Sequence, residues 1–211
     1  MDKNLIIIGA GSHCRPCIEA AEKNNHNIIE IIDVDYKGQE ETILNHKVIG
    51  GLDKLDNENS IDKEQTLLFL AVGNNKKRKE LYEEFINKGF DITTIIHPTA
   101  IILDHSKIGK GSLICAGAII GTDTIIQENV IINTGTIIDH NSDIGPHSHI
   151  APGVKIAGKV KVGEETFIGI GSCIIDKVNI GRETTIGAGS VVINDIPEKS
   201  TYVGVPAKRI K

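Results

Sequence analysis

The chain has 211 residues, of which 39 are isoleucine and 10 are leucine, with four phenylalanines, three tyrosines and no tryptophan. Leucine and aromatic side chains usually fill a layered core, so this bias indicates a structure with β-branched side chains at many equivalent positions. A hydrophobic content of 40% with 24% charged residues excludes wholesale disorder. The net charge of -5 excludes a general attraction to nucleic acid or anionic lipid, and favours small molecules or further copies of the chain as partners.

The first residues carry no targeting signal that we can identify. The apolar run Leu5–Ile8 is too short for the apolar region of a signal peptide and far too short to span a bilayer. We therefore expect a cytoplasmic protein without a membrane segment. The four cysteines, Cys14, Cys17, Cys115 and Cys173, are expected to be free thiols, and a redox or metal role for the C-x-x-C pair is a weak alternative.

Residues 1–95 have the outline of a small α/β domain in which three strands alternate with two helices. The predicted strands cover residues 5–8, 28–32 and 67–72, and the predicted helices cover residues 15–24 and 76–88. This order predicts a parallel sheet covered by helices. In the second helix, the charged run from Lys76 to Glu80 is interpreted as a solvated face.

The carboxyl ends of the predicted strands carry glycines and polar residues. Ligands of parallel α/β sheets lie at these ends, so a small nucleotide-type ligand is expected there. The turn Gly9-Ala10-Gly11-Ser12-His13 matches only part of the dinucleotide pattern G-x-G-x-x-G, because Cys14 occupies the position of the third glycine. A simple tight turn explains the glycines equally well. A full dinucleotide site is not expected, since the domain is about half the size of a doubled nucleotide-binding fold.

From residue 96 onward the sequence has a strict six-residue period. Every sixth residue from Ile96 to Val192 is isoleucine or valine, and a small or β-branched residue follows four positions later, from Ala100 to Ser190. Neither the period of a helix nor that of a flat sheet gives this pattern. The repeat predicts short strands joined by turns, with one bulky and one small inward position per unit. Glycine often follows the bulky residue, where the chain is expected to bend.

Three six-residue units make a triangular coil, and about five coils fit between Ile102 and Val192. Stacked coils bury a continuous core, so the isoleucine bias by itself indicates architecture and not function. We expect an α/β domain at residues 1–95, followed by a solenoid with a C-terminal cap at residues 96–211.

Several motifs along the whole chain occur together in one family. They are Gly9-Ala10-Gly11-Ser12-His13, the acidic end of the second strand, Ala71-Val72-Gly73-Asn74-Asn75, Asp139-His140, His149 and the closing Val203-Gly204-Val205-Pro206-Ala207-Lys208. In combination they resemble the NeuD/PglD group of hexapeptide-repeat sugar acyltransferases. The resemblance implies a Rossmann-like N-terminal domain that binds the sugar acceptor and a left-handed parallel β-helix that binds acetyl-coenzyme A (acetyl-CoA). It also implies a homotrimer with acetyl-CoA in a groove between adjacent β-helices, and chemistry that needs no metal.

By this resemblance His140 is the general base, a task for which histidine is the usual side chain. The unbroken repeat leaves no room for a long catalytic loop, so a base must stand on the coil surface, and His140 does so two residues after the inward Ile138. Some members of the group carry an acid where this chain has Asn141. The candidates for orienting His140 are therefore Asn141, Asp139 and Asp143.

The resemblance also implies two sets of binding residues. The acetyl-CoA contacts are His149, Ile170 and the backbone near Gly187 and Ala188. The acceptor contacts are Gly11, Ser12, His13, Asp33, Asp35, Gly73 and Asn74. Backbone amides of the glycine turn are expected to meet a phosphate, and the carboxylates to accept hydrogen bonds from base, ribose or sugar groups. Val34 separates two acids that are adjacent in the family pattern, which leaves open whether Asp33 or Asp35 faces the ligand.

Four functions are compatible with the sequence. The favoured one is N-acetylation of a nucleotide-linked, UDP-type amino-dideoxy sugar in bacterial glycan or polysaccharide biosynthesis, by direct transfer from acetyl-CoA. An O-acetyltransferase of sialic acid or a related sugar is the near alternative. A zinc-dependent lyase of the β-helical carbonic anhydrase type is another, because His140, His147 and His149 could gather at a subunit interface. A catalytically silent nucleotide-sugar sensor is the fourth.

Overall fold

The computed structural model describes residues 3–56 and 61–211 of the chain. The chain divides into two compact units, residues 1–96 and residues 97–211. The first unit is a layered α/β domain, and the second is a parallel β-helix. Within the described ranges we find no helix whose length and apolar character would carry it across a bilayer.

In the described part of residues 1–96 we find seven short strands and three helices. The strands are β1 Asn4–Ile8, β2 Asn27–Ile32, β3 Glu41–Ile43, β4 His46–Gly50, β5 Thr66–Leu70, β6 Asp91–Ile92 and β7 Ile95–Ile96. The helices are α1 Cys14–Lys23, α2 Asp53–Asp56 and α3 Asn75–Asn87. Six strands form a sheet in the order β3-β4-β2-β1-β5-β6, and its neighbours run parallel except for the antiparallel pair β3 and β4.

Every strand and helix that the sequence predicts for this domain is present, with ends shifted by one or two residues. The β3–β4 hairpin is not predicted. Its turn, Leu44-Asn45, has positive φ angles of 45° and 70°. Leucine rarely adopts this conformation, and the Asn-Gly pair that usually signals such a turn is missing. The hairpin therefore leaves little trace in the local sequence.

One core cluster of the domain lies between the sheet and α3. Ile6, Ile8 and Leu68 are fully buried and pack in one cluster with Leu81 and Phe85 of α3. Since β1, β2 and β5 are parallel neighbours, their carboxyl ends lie at the same edge of the sheet. The turns that follow these three strands are thereby brought together.

The β-helix consists of two-residue strands that stack on three faces, with parallel pairing between residues 18 apart. Face 1 contains β10 Leu113–Ile114, β13 Ile131–Ile132, β16 His149–Ile150, β19 Phe167–Ile168 and β22 Thr185–Ile186. Face 2 contains β8 Ile101–Ile102, β11 Ile119–Ile120, β14 Ile137–Ile138, β17 Lys155–Ile156, β20 Cys173–Ile174 and β23 Val191–Val192. Face 3 contains β9 Lys107–Ile108, β12 Ile125–Ile126, β15 Asp143–Ile144, β18 Lys161–Val162 and β21 Asn179–Ile180. The cap strand β24 Thr201–Val203 continues face 1 and pairs antiparallel with β25 Lys208–Arg209.

The inward positions of the coils are those that the six-residue period predicts. Bulky residues such as Ile120 and Ile138 are fully buried, and so are the small residues four positions after them, Thr124 and Ser142. Many of these buried hydroxyls donate to a carbonyl 15 residues later, as Ser142 does to Ala157 at 3.2 Å. The small polar positions are thus satisfied within the core, because each hydroxyl bonds to the backbone of the next coil.

The glycines that follow inward residues are required by the close approach of the next coil. A Cβ on Gly109 would lie 2.4 Å from the carbonyl carbon of Gln127, and one on Gly181 would lie 2.3 Å from the nitrogen of Glu198. Their φ angles are not positive, whereas positive φ angles occur at turn residues such as Asn141. Glycine is therefore needed at these positions because the next coil lies so close, and not because the chain bends there, as the sequence suggests.

Candidate functional site

A pocket of about 280 Å³ opens at the carboxyl ends of β1, β2 and β5. It brings together all seven residues that the resemblance implies for the acceptor, namely Gly11, Ser12, His13, Asp33, Asp35, Gly73 and Asn74. The remaining lining residues are Gly9, Val34, Ala71, Val72 and Lys77. Of these, Lys77 is a cation that sequence reasoning did not assign to the pocket.

The two glycines of the first turn have different tasks. Gly9 has a φ of +107°, and a Cβ there would lie 3.0 Å from the carbonyl oxygen of Ala71, so only glycine fits. Its N–H donates to the carbonyl of Ile32 at 2.7 Å. Gly11, in contrast, has no atom within 4 Å of the position that a Cβ would occupy. Gly9 is needed by the fold, and Gly11 leaves open space on the pocket side.

The two acids after β2 are also held differently. The Oδ1 atom of Asp33 accepts a hydrogen bond from the N–H of Ala10 at 3.1 Å, and its own N–H donates to the carbonyl of Gly50 at 2.9 Å. Asp33 thereby ties the glycine turn to the end of the second strand. Asp35 lines the same pocket two residues further on.

The turn between β5 and α3 is fixed by a buried arginine. The side chain of Arg78 is 1% exposed, its Nη1 donates to the carbonyls of Val72 at 3.0 Å and Gly73 at 3.3 Å, and its Nη2 donates to Oδ1 of Asn75 at 3.0 Å. The interpretation of the run from Lys76 to Glu80 as a solvated face is therefore wrong at Arg78. The guanidinium is buried because backbone carbonyls of the preceding turn satisfy its donors.

Two further residues of the pocket are His13, whose protonation is set by its surroundings, and Asn74, whose side chain is held by a hydrogen bond. Burial, and then the positive charge of Arg78, lower the pKa of His13 to about 4, so its imidazole is neutral at neutral pH. The side chain of Asn74 caps α3, with Oδ1 accepting from the N–H of Lys77 at 2.9 Å. The lining of the pocket thus contains carboxylates, a neutral imidazole and a lysine.

The C-x-x-C thiols next to this pocket belong to the core of the domain. Cys14 and Cys17 are buried and free, and the Sγ of Cys17 donates to the carbonyl of His13 at 3.1 Å. Burial raises the pKa of Cys14 to about 12, which keeps its thiol protonated and unreactive.

In the β-helix, His140 stands exposed at the corner between faces 2 and 3. Its Nδ1 lies 2.8 Å from Oδ1 of Asn141. An amide oxygen can only accept, so the ring proton is on Nδ1 and Nε2 carries the lone pair. Asn141 has a φ of 58°, a left-handed conformation that asparagine tolerates better than most residues. The local turn therefore holds the imidazole with Nδ1 towards Asn141 and Nε2 on the other side of the ring.

The other two candidates for orienting His140 bond elsewhere. Asp139 accepts from the backbone N–H of His140 at 2.7 Å, and Asp143 accepts from Nε2 of Gln127 at 2.9 Å. Asn141 is thus the candidate that hydrogen-bonds the imidazole in the structure.

Gly158 is a residue of this corner that sequence reasoning missed. It stands 18 residues after His140, and the N–H of Lys159 donates to the carbonyl of His140 at 2.9 Å, which pairs the two coils. A Cβ on Gly158 would lie 2.7 Å from both Cε1 and Nε2 of His140. The absence of a side chain at this position makes room for the imidazole. Its distance of 18 residues from His140, which is one full coil, was the signal that could have identified it.

The residues implied for acetyl-CoA lie mainly at another corner, between faces 1 and 2. Ile170, whose side chain is 56% exposed, and Ala188 occupy equivalent places there in consecutive coils, and the N–H of Gly189 donates to the carbonyl of Ile170 at 2.8 Å. Gly187 precedes Ala188, and a Cβ on it would lie 2.6 Å from Cγ1 of Val203 in the cap. Within one chain, face 2 therefore separates these residues from His140.

His149 lies on face 1, where its ring meets the ring of Phe167 edge to face at a centroid distance of 5.3 Å. Its Nε2 is 3.2 Å from Nδ2 of Asn133. Since the amide nitrogen can only donate, the ring proton of His149 is on Nδ1.

The three histidines considered for zinc have separate surroundings. His147 is buried and its Nδ1 lies 2.8 Å from Nδ2 of Asn129, whereas His140 and His149 contact other residues, as described above. Over residues 3–56 and 61–211 we find no group of three or more histidine, cysteine or acidic side chains that could hold a metal ion.

Comparison with known proteins extends over both units. Residues 4–85 match the family described as PglD N-terminal domain. A segment of 119 residues is 34% identical to the UDP-N-acetylbacillosamine N-acetyltransferase of Bacillus subtilis (strain 168) and covers 54% of this chain and 52% of that protein. The chain thus spans about half the length of this curated relative.

Solved structures match almost the whole chain, and two of them are compared with it. PerB from Caulobacter crescentus, in complex with CoA and GDP-perosamine, is 33% identical, with a TM-score of 0.92 over 100% of this chain and 99% of that one. The acetyltransferase domain of PglB from Neisseria gonorrhoeae is 34% identical, with a TM-score of 0.91 over 99% of this chain and 100% of that one. Two variants of the Caulobacter enzyme with a histidine replaced by asparagine or alanine are also known in complex with CoA and GDP-perosamine.

These matches define the class of protein. The chain belongs to the NeuD/PglD family of sugar acyltransferases. The predicted architecture, a Rossmann-like α/β domain followed by a hexapeptide-repeat β-helix, is confirmed.

Proposed function

We propose that this protein transfers the acetyl group of acetyl-CoA to the amino group of a nucleotide-linked amino-dideoxy sugar. The observation that carries the proposal is the bond between Nδ1 of His140 and Asn141, which leaves Nε2 of an exposed histidine as a base. Two relatives support the proposal, since the Bacillus protein is a UDP-N-acetylbacillosamine N-acetyltransferase and PerB binds CoA and GDP-perosamine. We propose a UDP-linked sugar as the acceptor and bacterial glycan or polysaccharide biosynthesis, in the cytoplasm, as the setting.

The pocket of the α/β domain is the proposed acceptor site. Asp35 is the carboxylate that we assign to the ligand, because Asp33 is tied to the glycine turn through Ala10. A carboxylate accepts hydrogen bonds from a nucleobase or ribose, and the open space at Gly11 lets the ligand approach the backbone. Lys77 supplies positive charge for a phosphate.

The chemistry that we propose is direct transfer in a ternary complex. The sugar amine attacks the thioester carbonyl carbon, the C–N bond forms, and the C–S bond to CoA breaks. Nε2 of His140 takes the proton that the amine loses, and the sulfur of CoA leaves as a thiolate, which is then protonated. Asn141 holds the ring while this happens and contributes no negative charge, since it is an amide. Asp139 shapes the same turn through the backbone of His140.

The donor site that we propose is shared between copies of the chain. An apolar stripe of outward side chains begins face 2 and consists of Ile101, Ile119 and Ile137. Ile101 and Ile137 are exposed. Such a stripe is typical of a surface covered by a partner. If face 2 packs against other copies in a homotrimer, the corner with His140 on one copy approaches the corner with Ile170 and Ala188 on the next. Acetyl-CoA would bind between them, near His149 and Gly187.

The proposal is tested by replacing His140. Purified wild type, His140→Ala and His140→Asn are incubated with acetyl-CoA and a panel of UDP- and GDP-linked amino sugars, with free sialic acid included. We expect wild type to release CoA and to form an amide on a nucleotide sugar, and both variants to lose at least ~100-fold in kcat. Binding of CoA and of the nucleotide sugar should survive in the variants.

Other outcomes of this experiment identify the alternatives. Acetylation of sialic acid hydroxyls alone would make the protein an O-acetyltransferase. Tight binding of a nucleotide sugar without turnover by wild type would make it a sensor. Undiminished turnover by His140→Ala would remove His140 from the mechanism and overturn the proposal as we state it.

A further inference from the structure

The turn between β5 and α3 forms one wall of the acceptor pocket, and its backbone has a defined direction. The carbonyls of Val72 and Gly73 both accept hydrogen bonds from Nη1 of Arg78. In a trans peptide unit the C=O and the N–H point in opposite directions. The N–H of Asn74, which belongs to the same peptide unit as the Gly73 carbonyl, therefore points away from the guanidinium.

The pocket is lined by residues of this turn and not by the arginine itself. Gly73 and Asn74 line the pocket, whereas Arg78 is 1% exposed behind them and is not part of the lining. The N–H of Asn74, which points away from the guanidinium, thus belongs to a residue that lines the pocket. The third bond of the guanidinium, to Oδ1 of Asn75, ties the turn to the first residue of α3.

His13 lies near the turn that Arg78 holds. The position that a Cβ on Gly73 would occupy is 4.0 Å from the Cβ of His13. The positive charge of Arg78 is also close enough to help lower the pKa of His13. One buried guanidinium thereby influences both turns that contribute to the pocket, the one after β1 and the one after β5.

We propose that Arg78 is a positioning residue for the acceptor, which holds the β5–α3 turn so that the backbone of Gly73 and Asn74 faces the ligand. Arg78 does not touch the ligand itself. The inference rests on the proposed function, since it assumes that the pocket takes a nucleotide-linked sugar. An arginine is suited to this task because its planar fork bonds two carbonyls and a side chain at once, whereas the three donors of a lysine all lie on one nitrogen.

The test compares three variants with wild type. Arg78→Met removes the fork and keeps most of the stem, Arg78→Lys keeps the charge without the fork, and Lys76→Met removes a charge from the exposed side of the same helical turn. UDP, GDP and CoA are titrated calorimetrically into each protein, and thermal unfolding is recorded in parallel. We expect Arg78→Met to weaken binding of the preferred diphosphate by about tenfold or more, and Arg78→Lys to lie between it and wild type.

The CoA titration separates positioning from a general loss of structure. We expect CoA affinity to stay within about twofold in all variants, and Lys76→Met to bind like wild type throughout. Equal diphosphate affinity in Arg78→Met and wild type would overturn the inference, and so would a parallel loss of CoA binding. If Arg78→Met does not fold, wild-type affinity in a folded Arg78→Lys would overturn it. If wild type binds neither UDP nor GDP, the proposed function fails and this inference fails with it.

Discussion

The imidazole ring of His140 lies against the α-carbon of Gly158, which occupies the same corner one coil further along the β-helix. A methyl group at Gly158 would come within 2.7 Å of Nε2, the atom that we propose as the base. The ring is therefore held from two sides, by the hydrogen bond to Asn141 and by its contact with the glycine. A change at Gly158 should displace the ring without touching its hydrogen-bond partner.

The first prediction is that Gly158→Ala lowers kcat by ~10- to 100-fold, because a displacement of the base by about 1 Å is enough for such a loss. The fold should persist, since the side chain that must move is the exposed His140 and not the backbone. Steady-state kinetics and circular dichroism measure the two effects. Asp176→Ala, at the same corner one coil beyond Gly158, is the matched control and should behave as wild type. Full activity in Gly158→Ala would show that the ring position is not critical.

The second prediction concerns Asn141. Asn141→Gly keeps the left-handed backbone but removes the acceptor for Nδ1, so kcat should fall by about tenfold. Asn141→Asp keeps the acceptor and adds a negative charge that stabilises the imidazolium, so the acidic limb of its pH–rate profile should move to higher pH than in wild type. Asp123→Gly, one coil earlier at the same corner with a φ of 56°, controls for the loss of a side chain there. Wild-type kinetics in Asn141→Gly would argue against orientation by this residue.

The third prediction concerns the apolar stripe on face 2. Ile137→Glu places a charge in the proposed contact between copies, where burying it would cost several kcal/mol. We expect the variant to sediment as monomers in analytical ultracentrifugation and to lose activity. Ile125→Glu on face 3 is the matched control, since the exposed fractions of Ile137 and Ile125 are 37% and 40%. An assembled and active Ile137→Glu would place the contact on another face.

The fourth prediction follows from the low pKa of His13. Its pKa is about 4 in the folded protein and about 6.5 in the unfolded chain, so between these values the unfolded state binds more protons. The protein should therefore have its full stability above pH 6.5 and lose stability as the pH falls towards 4. The contribution of His13 is at most about 2 kcal/mol between pH 6.5 and 5.

Urea unfolding at pH 7.5, 6 and 5 tests this dependence. We expect a smaller loss of stability with acid in His13→Asn than in wild type. His105→Asn, which changes an exposed histidine in a left-handed turn that asparagine tolerates, should keep the wild-type slope. The same slope in His13→Asn and wild type would mean that other groups cause the acid sensitivity.

The sequence predicted the inward positions of the β-helix, because they recur every six residues and a strict period of six is not that of a helix. It also predicted that the glycine turn, the acids after β2 and Gly73-Asn74 meet, since the ends of parallel neighbouring strands share one edge. Both successes depend on patterns that are local or exactly repeated along the chain.

The features that were missed depend on contacts between residues that no local pattern connects. Arg78 stands in a run of charged residues that looks solvated, and only the fold shows that the carbonyls of Val72 and Gly73 meet its donors. Gly158 is one glycine among 22, and its importance arises from the residue one coil earlier. The β3–β4 hairpin turns at Leu44, whose conformation its residue type does not suggest.

Because the coils stack, the base can lie only at discrete positions along the axis of the β-helix, one for each coil. Neighbouring strands stack at about 4.8 Å, so Thr122, His140, Gly158 and Asp176 mark successive steps at one corner. Reactive geometry tolerates far less than one such step. The base therefore cannot shift gradually along the axis in this architecture. Deletion of a whole coil would keep the register of the remaining coils and would move the base by one strand spacing relative to the cap.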